Sequence, residues 1–134
     1  MATTVTIPTY TGAAAGNVIT SASIAASGTS SSTTALDFSA NFEGQIHVLN
    51  TPGGSVAATR GLKVQVFRRY GSSPTTGQSA LLTYTLPSAT ASTAESLDFF
   101  LPTGKYAITL TNLDGTNAIV AEVTSDTVTN VSTT

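Results

Sequence analysis

His47 is the chain's one imidazole, so ordinary general-base chemistry at neutral pH would have to run through it. It sits in Gln45-Ile-His-Val-Leu49, where it alternates with Ile46 and Val48 and falls on the face opposite them. A serine triad would also need a nucleophile on a strained turn beside an oxyanion hole, and no Gly-x-Ser-x-Gly occurs. The seven acids are Asp37, Glu43, Glu95, Asp98, Asp114, Glu122 and Asp126. Glu95 and Asp98 are near each other in sequence, as carboxylate acid–base work would need, but a solvated rim at the start of a strand is the ordinary explanation for them. With 26 Thr and 16 Ser, no single hydroxyl stands out as a nucleophile. The expectation is a protein that is not an enzyme and has no catalytic residue.

Cofactor chemistry fares no better. The absence of cysteine removes thiolate metal sites, iron–sulfur clusters, disulfides and cysteine nucleophiles, and one histidine cannot build an ordinary zinc site. Asp114, Thr116 and Asn117 could offer oxygens to calcium, but the spaced acids and bidentate Glu of a dedicated loop are missing, and a β-turn explains them. No glycine-rich phosphate loop follows a strand and opens a helix. No metal and no cofactor are expected. A net charge of -2 argues against a nucleic-acid partner, which demands a basic surface. The mildly apolar stretch 13–26 is broken by Asn17, Thr20, Ser21 and Ser23, so it is too polar for a membrane span, and no basic residue precedes it as a targeting signal would require.

The charge pattern is more informative. Arg60, Lys63, Arg68 and Arg69 account for four of the five basic residues, beside Phe67 and Tyr70. Lys63, Phe67 and Arg69 share one strand parity, whereas Arg68 and Tyr70 continue that of Val64 and Val66. One reading is a solvated sheet face with a strand end leaving the core. The functional reading is an amphipathic patch for a protein partner, because arginine and aromatics concentrate at interface centres.

The elements that carry these residues are strands. Phe42, Gly44, Ile46 and Val48 alternate with Glu43, Gln45, His47 and Leu49. The same period of two runs through Leu62/Val64/Val66, Leu82/Tyr84/Leu86, Leu97/Phe99/Leu101, Tyr106/Ile108/Leu110 and Ile119/Ala121/Val123, as a half-buried strand requires. Asn50-Thr-Pro-Gly-Gly-Ser55 and Gly71-Ser-Ser-Pro-Thr-Thr-Gly77 are turn chemistry, and Leu113-Asp-Gly-Thr-Asn117 predicts a tight type I′ hairpin. No segment has a 3.6-residue apolar stripe. The first 36 residues carry no charge and few large apolar side chains. Residues 1–33 therefore read as an extended arm with strand-like anchors at Val5, Ile7, Val18, Ile19 and Ile24. Such an arm is either a disordered tail or a strand added to its own sheet or a neighbour's. Residues 34–134 read as one domain of about six strands, plus one strand from the arm. The fold class is all-β: a single immunoglobulin-like or jelly-roll β-sandwich with an extended N-terminal arm. The candidate interface comprises Val5, Ile7, Ile24, Lys63, Phe67, Arg68, Arg69 and Tyr70.

Two resemblances extend this reading. Ser96-Leu-Asp-Phe-Phe-Leu-Pro-Thr-Gly-Lys-Tyr-Ala-Ile-Thr-Leu110 resembles the E–F region of immunoglobulin-like and fibronectin type III domains, which implies a tyrosine corner at Tyr106 with its ring in the core and its hydroxyl on nearby backbone. The chain as a whole resembles the small immunoglobulin-like accessory proteins of tailed bacteriophage virions. The resemblance is carried by the Ser/Thr/Ala-rich start, Leu36-Asp-Phe-Ser-Ala-Asn-Phe-Glu-Gly-Gln-Ile-His-Val48, Gly61-Leu-Lys-Val-Gln-Val-Phe-Arg-Arg-Tyr70 and the segment from Leu101 to Asp114. It implies a capsid decoration (cement) protein on the virion surface. Such a protein binds the major capsid protein or another virion protein, commonly as a homo-oligomer such as a trimer. The alternatives are a tail or fibre component, or an adhesin-type module stacking a glycan on Tyr10, Tyr70 or Tyr84.

Overall fold

A computed structural model of the chain describes residues 5–11, 17–31, 36–52, 60–69, 79–87 and 93–133. Among them the regular elements are β1 (Val5–Thr11), β2 (Asn17–Ile24), β3 (Thr29–Ser31), β4 (Leu36–Asp37), β5 (Glu43–Pro52), β6 (Leu62–Arg68), β7 (Leu82–Leu86), β8 (Glu95–Pro102), β9 (Lys105–Asn112) and β10 (Ile119–Thr133). They form two antiparallel sheets arranged as a sandwich and not closed into a barrel. The first sheet runs β1-β10-β5-β8, with β2 also on β10; the second runs β3-β9-β6-β7, with β4 also on β9.

The period of two determines which side chains meet between the sheets. From the first sheet come Ile46, Val48, Phe99, Leu101, Ile119, Ala121 and Val123; from the second come Leu62, Val64, Val66, Leu86, Tyr106, Ile108 and Leu110. Each fully buried aliphatic side chain contributes roughly 1.5–3 kcal/mol through removal from water, so this interior dominates the fold. Gly44 also faces inward, and the ring of Phe38 packs directly over it, occupying the space a Cβ would need.

The spine of the first sheet is β10. One of its edges pairs with β5 over Ile119–Val128; the other pairs with β2 near its start and with β1 from Thr127 to Thr133. The N-terminal stretch thus supplies three strands instead of the one expected. Ile19 and Ile24 belong to the buried core cluster.

Two local expectations are corrected. The segment after Leu113 is not a hairpin, because β9 and β10 belong to different sheets and the chain arches between them. A type I′ turn needs positive φ at both central residues, and neither Asp114 nor Gly115 has it. The Asp114 carboxylate instead turns inward and accepts the N–H groups of Thr116 and Asn117 at 2.7 and 2.8 Å. Phe42, counted with the inward set of β5, precedes that strand and is 53% exposed; the preceding turn has already placed Phe38 at the inward position.

Candidate functional site

The predicted interface set is dispersed by the fold. Lys63 and Phe67 stand half-buried on the outer face of the second sheet, in register with Thr111 and Ala107 of β9. Arg68 turns the other way. Its Cζ lies 5.4 Å from the centre of the Tyr106 ring, and its Nη1 donates to the Tyr106 hydroxyl at 3.4 Å. Arg69 is 6% exposed, and its N–H donates to the Lys105 carbonyl, so its side chain is covered by the chain itself. Ile24 is 3% exposed within the chain's own core. Val5 and Ile7 are paired through β1 with Thr133 and Val131. Tyr70 lies outside the described residues.

Tyr106 has the geometry of a tyrosine corner. Its ring is fully buried, and its hydroxyl donates to the Pro102 carbonyl at 2.7 Å across the β8–β9 crossover. Burial pushes the phenol above its ordinary value, and Arg68 partly offsets this. Gly104 takes φ 144 in that crossover, where its carbonyl accepts the Phe38 N–H and the Arg68 guanidinium approaches its Cα hydrogen side.

The chemistry-capable residues gather elsewhere, on the outer face of the first sheet. His47 is in register with Asp98 of β8 on one side and Thr124 of β10 on the other. Its Nδ1 meets Asp98 Oδ1 at 2.8 Å, and its Nε2 meets Asp126 Oδ2 at 3.0 Å. The Asp98 hydrogen bond is the largest influence raising the histidine above 6.5; partial burial opposes it, and the Asp126 bond adds to it. Both ring nitrogens are engaged, so neither presents a lone pair to a substrate. The pairing of Glu95 with Asp98 is not realised: Glu95 is opposite Asn50 in register, and Asp98 is opposite His47. Sequence proximity concealed the true trio, whose members come from positions 47, 98 and 126. The one available signal was that all three occupy the polar parity of their strands.

A second polar cluster closes one end of the sandwich. Asn112 Nδ2 donates to the carbonyls of Ile24, Ala25 and Asn117, and its Oδ1 accepts the Asp114 N–H. Asp114 also accepts the Arg60 N–H at 3.3 Å. Amide hydrogens pointed at this buried carboxylate present positive dipoles where a cation would have to sit, so the arrangement suits an anion held by backbone. At the surface, the Ser39 hydroxyl and N–H, followed by Lys105 at 3.2 Å, hold the Asp37 carboxyl down at about 2. Among the described residues, no three of His, Asp and Glu converge as metal ligands.

The two sheets also differ in charge. β5, β8 and β10 carry Glu43, Glu95, Asp98, Glu122 and Asp126 and no lysine or arginine, whereas β6 and β9 carry Lys63, Arg68 and Lys105, the last paired with Asp37 of β4.

No protein-family model matches the chain, and no curated protein matches it. Among solved structures, an exo-beta-1,3-galactanase from Phanerochaete chrysosporium, determined with galactose, aligns with a TM-score of 0.42 and 14% identity. The alignment covers 95% of this chain and 29% of that one, so the chain spans under a third of the enzyme's length. A likeness at that level transfers neither activity nor ligand.

Proposed function

We propose that this chain is a non-enzymatic structural protein of a tailed-phage particle, a decoration or cement protein that binds the head lattice through the surfaces of an immunoglobulin-like sandwich. The observation that carries the reading is the use made of the reactive groups. The one imidazole has both nitrogens on carboxylates, and the buried carboxylate of Asp114 is held by backbone N–H groups. His47 ties neighbouring strands and Asp114 ties a connection between them, which leaves shape and surface chemistry as the means of action. An acidic first sheet set against Lys63 on the outer face of the second gives the molecule an electrostatic orientation on a charged partner. Lys63 and Phe67 are the members of the predicted patch that remain on an outer face, and they are assigned the partner contact.

The test is quantitative mass spectrometry of purified particles from a phage carrying the gene. A head protein is expected at hundreds of copies per particle, and Lys63→Glu with Phe67→Ser is expected to lower occupancy at least tenfold while leaving the melting temperature of the free protein within about 2 °C. A handful of copies would move the protein to a tail or fibre, and complete absence from the particle would overturn the reading.

A further inference from the structure

A neutral imidazole has one N–H and one lone pair, so it can satisfy only one of two carboxylates placed at its two nitrogens. His47 has a carboxylate oxygen at each, 2.8 and 3.0 Å away, contributed by the strands on either side of its own. The arrangement fits the imidazolium, which donates to both. The remaining surroundings reinforce that fit. From β10, Glu122 and Asp126 flank Thr124, the residue opposite His47; from β8 comes Asp98; from β5 itself come Glu43 and Gln45 on the same face. No lysine or arginine occurs on these three strands.

The two anchored strands are held unequally. β10 is hydrogen-bonded along both edges, to β5 on one side and to β2 and β1 on the other. Among the described residues, β8 stands last in the sheet order, and β5 is the strand it pairs with. The side chain of Asp98 is 58% exposed, against 24% for Asp126, so water replaces the histidine more readily at Asp98. We infer that Asp98–His47–Asp126 is a proton-operated clasp that fixes the terminal strand β8 to its sheet when His47 is charged and loosens it when the proton leaves.

The sign follows from linkage. A histidine whose folded-state value lies above its unfolded one contributes stability that is complete below about 6.5 and disappears as the pH rises through the folded value. The clasp is therefore closed in mildly acidic solution and open in alkaline solution.

Because the chain has one histidine, its imidazole C2 proton reports this site alone in an NMR titration. The full chain is expected to show a midpoint above 6.5, lowered in Asp98→Asn and in Asp126→Asn, and lowered furthest in the double variant. Amide exchange read on Ser96–Leu101 and corrected for intrinsic rate supplies the structural half of the test. Protection there is expected to fall about tenfold, across the titration, for each pH unit by which the midpoint exceeds 6.5, while protection of β6 stays constant. In His47→Gln the β8 protection is expected to be independent of pH over that range. A midpoint at or below 6.5, or the same pH dependence of β8 in His47→Gln as in the parent, would overturn the inference.

Discussion

Gly44→Ala probes the most crowded point of the interior. A Cβ on residue 44 would lie 2.5 Å from Phe38 Cε1 and closer still to Cζ and Cε2, where carbon atoms normally rest at about 3.5–4.0 Å. The ring would have to retreat by more than about 1 Å. Its freedom to do so is small: Phe38 is 2% exposed, its N–H is tied to the Gly104 carbonyl, and Tyr106 lies 6.3 Å away, centroid to centroid. Overpacking of this kind costs about 1–3 kcal/mol, and the expected loss lies in the upper half of that range. Urea unfolding followed by circular dichroism measures it, with an unchanged m-value showing that the unfolded state is not involved. The decisive experiment is the double-mutant cycle with Phe38→Leu. Removing the ring opens the space, so Gly44→Ala in that background is expected to be neutral or to stabilise by up to about 0.5–1 kcal/mol, the usual advantage of alanine over glycine in a strand. The coupling energy is then at least about 2 kcal/mol. Additive effects, within about 0.5 kcal/mol, would refute the packing of Phe38 over Gly44 and the inward register of β5 that depends on it.

Two further outcomes bear on buried polar groups. Tyr106→Phe removes the hydroxyl that donates to the Pro102 carbonyl and accepts from Arg68, and is expected to destabilise by about 1–2 kcal/mol in urea unfolding; no loss would mean that the corner is held by the ring alone. Asn50 is fully buried at the inward parity of β5, and among the described residues neither its Oδ1 nor its Nδ2 has a hydrogen-bond partner. Asn50→Leu keeps much of the volume and removes the desolvated amide, so the melting temperature is expected to rise by a few degrees; a fall would show that the amide is needed.

The alternation of apolar side chains was legible because a strand with one buried face has to repeat every two residues, whatever its partners. Leu62/Val64/Val66 and Tyr106/Ile108/Leu110 face the interior as the pattern requires. Tyr106 was readable for a similar local reason: its acceptor, Pro102, is four residues away, within a segment short enough to be recognised whole. The turn at Asp114 was misjudged because Asp-Gly is ambiguous. The same dipeptide that suits a hairpin can fold its carboxylate back onto the next N–H groups when the following strand joins the other sheet.

Composition, parity and the local crossover were thus set by the chain itself: an all-β interior, an inward Tyr106, an outward His47 and a near absence of reactive groups. The tertiary structure decided which outward residues become neighbours. Asp98 and Asp126 are 51 and 79 residues from His47, and only the antiparallel register of β8 and β10 against β5 brings them to its two nitrogens. Parity alone sets the two consecutive arginines apart, but only the pairing of β6 with β9 lays the Arg68 guanidinium on Tyr106. Register and strand termination depend on pairings between distant segments, and no local stretch of sequence contains them.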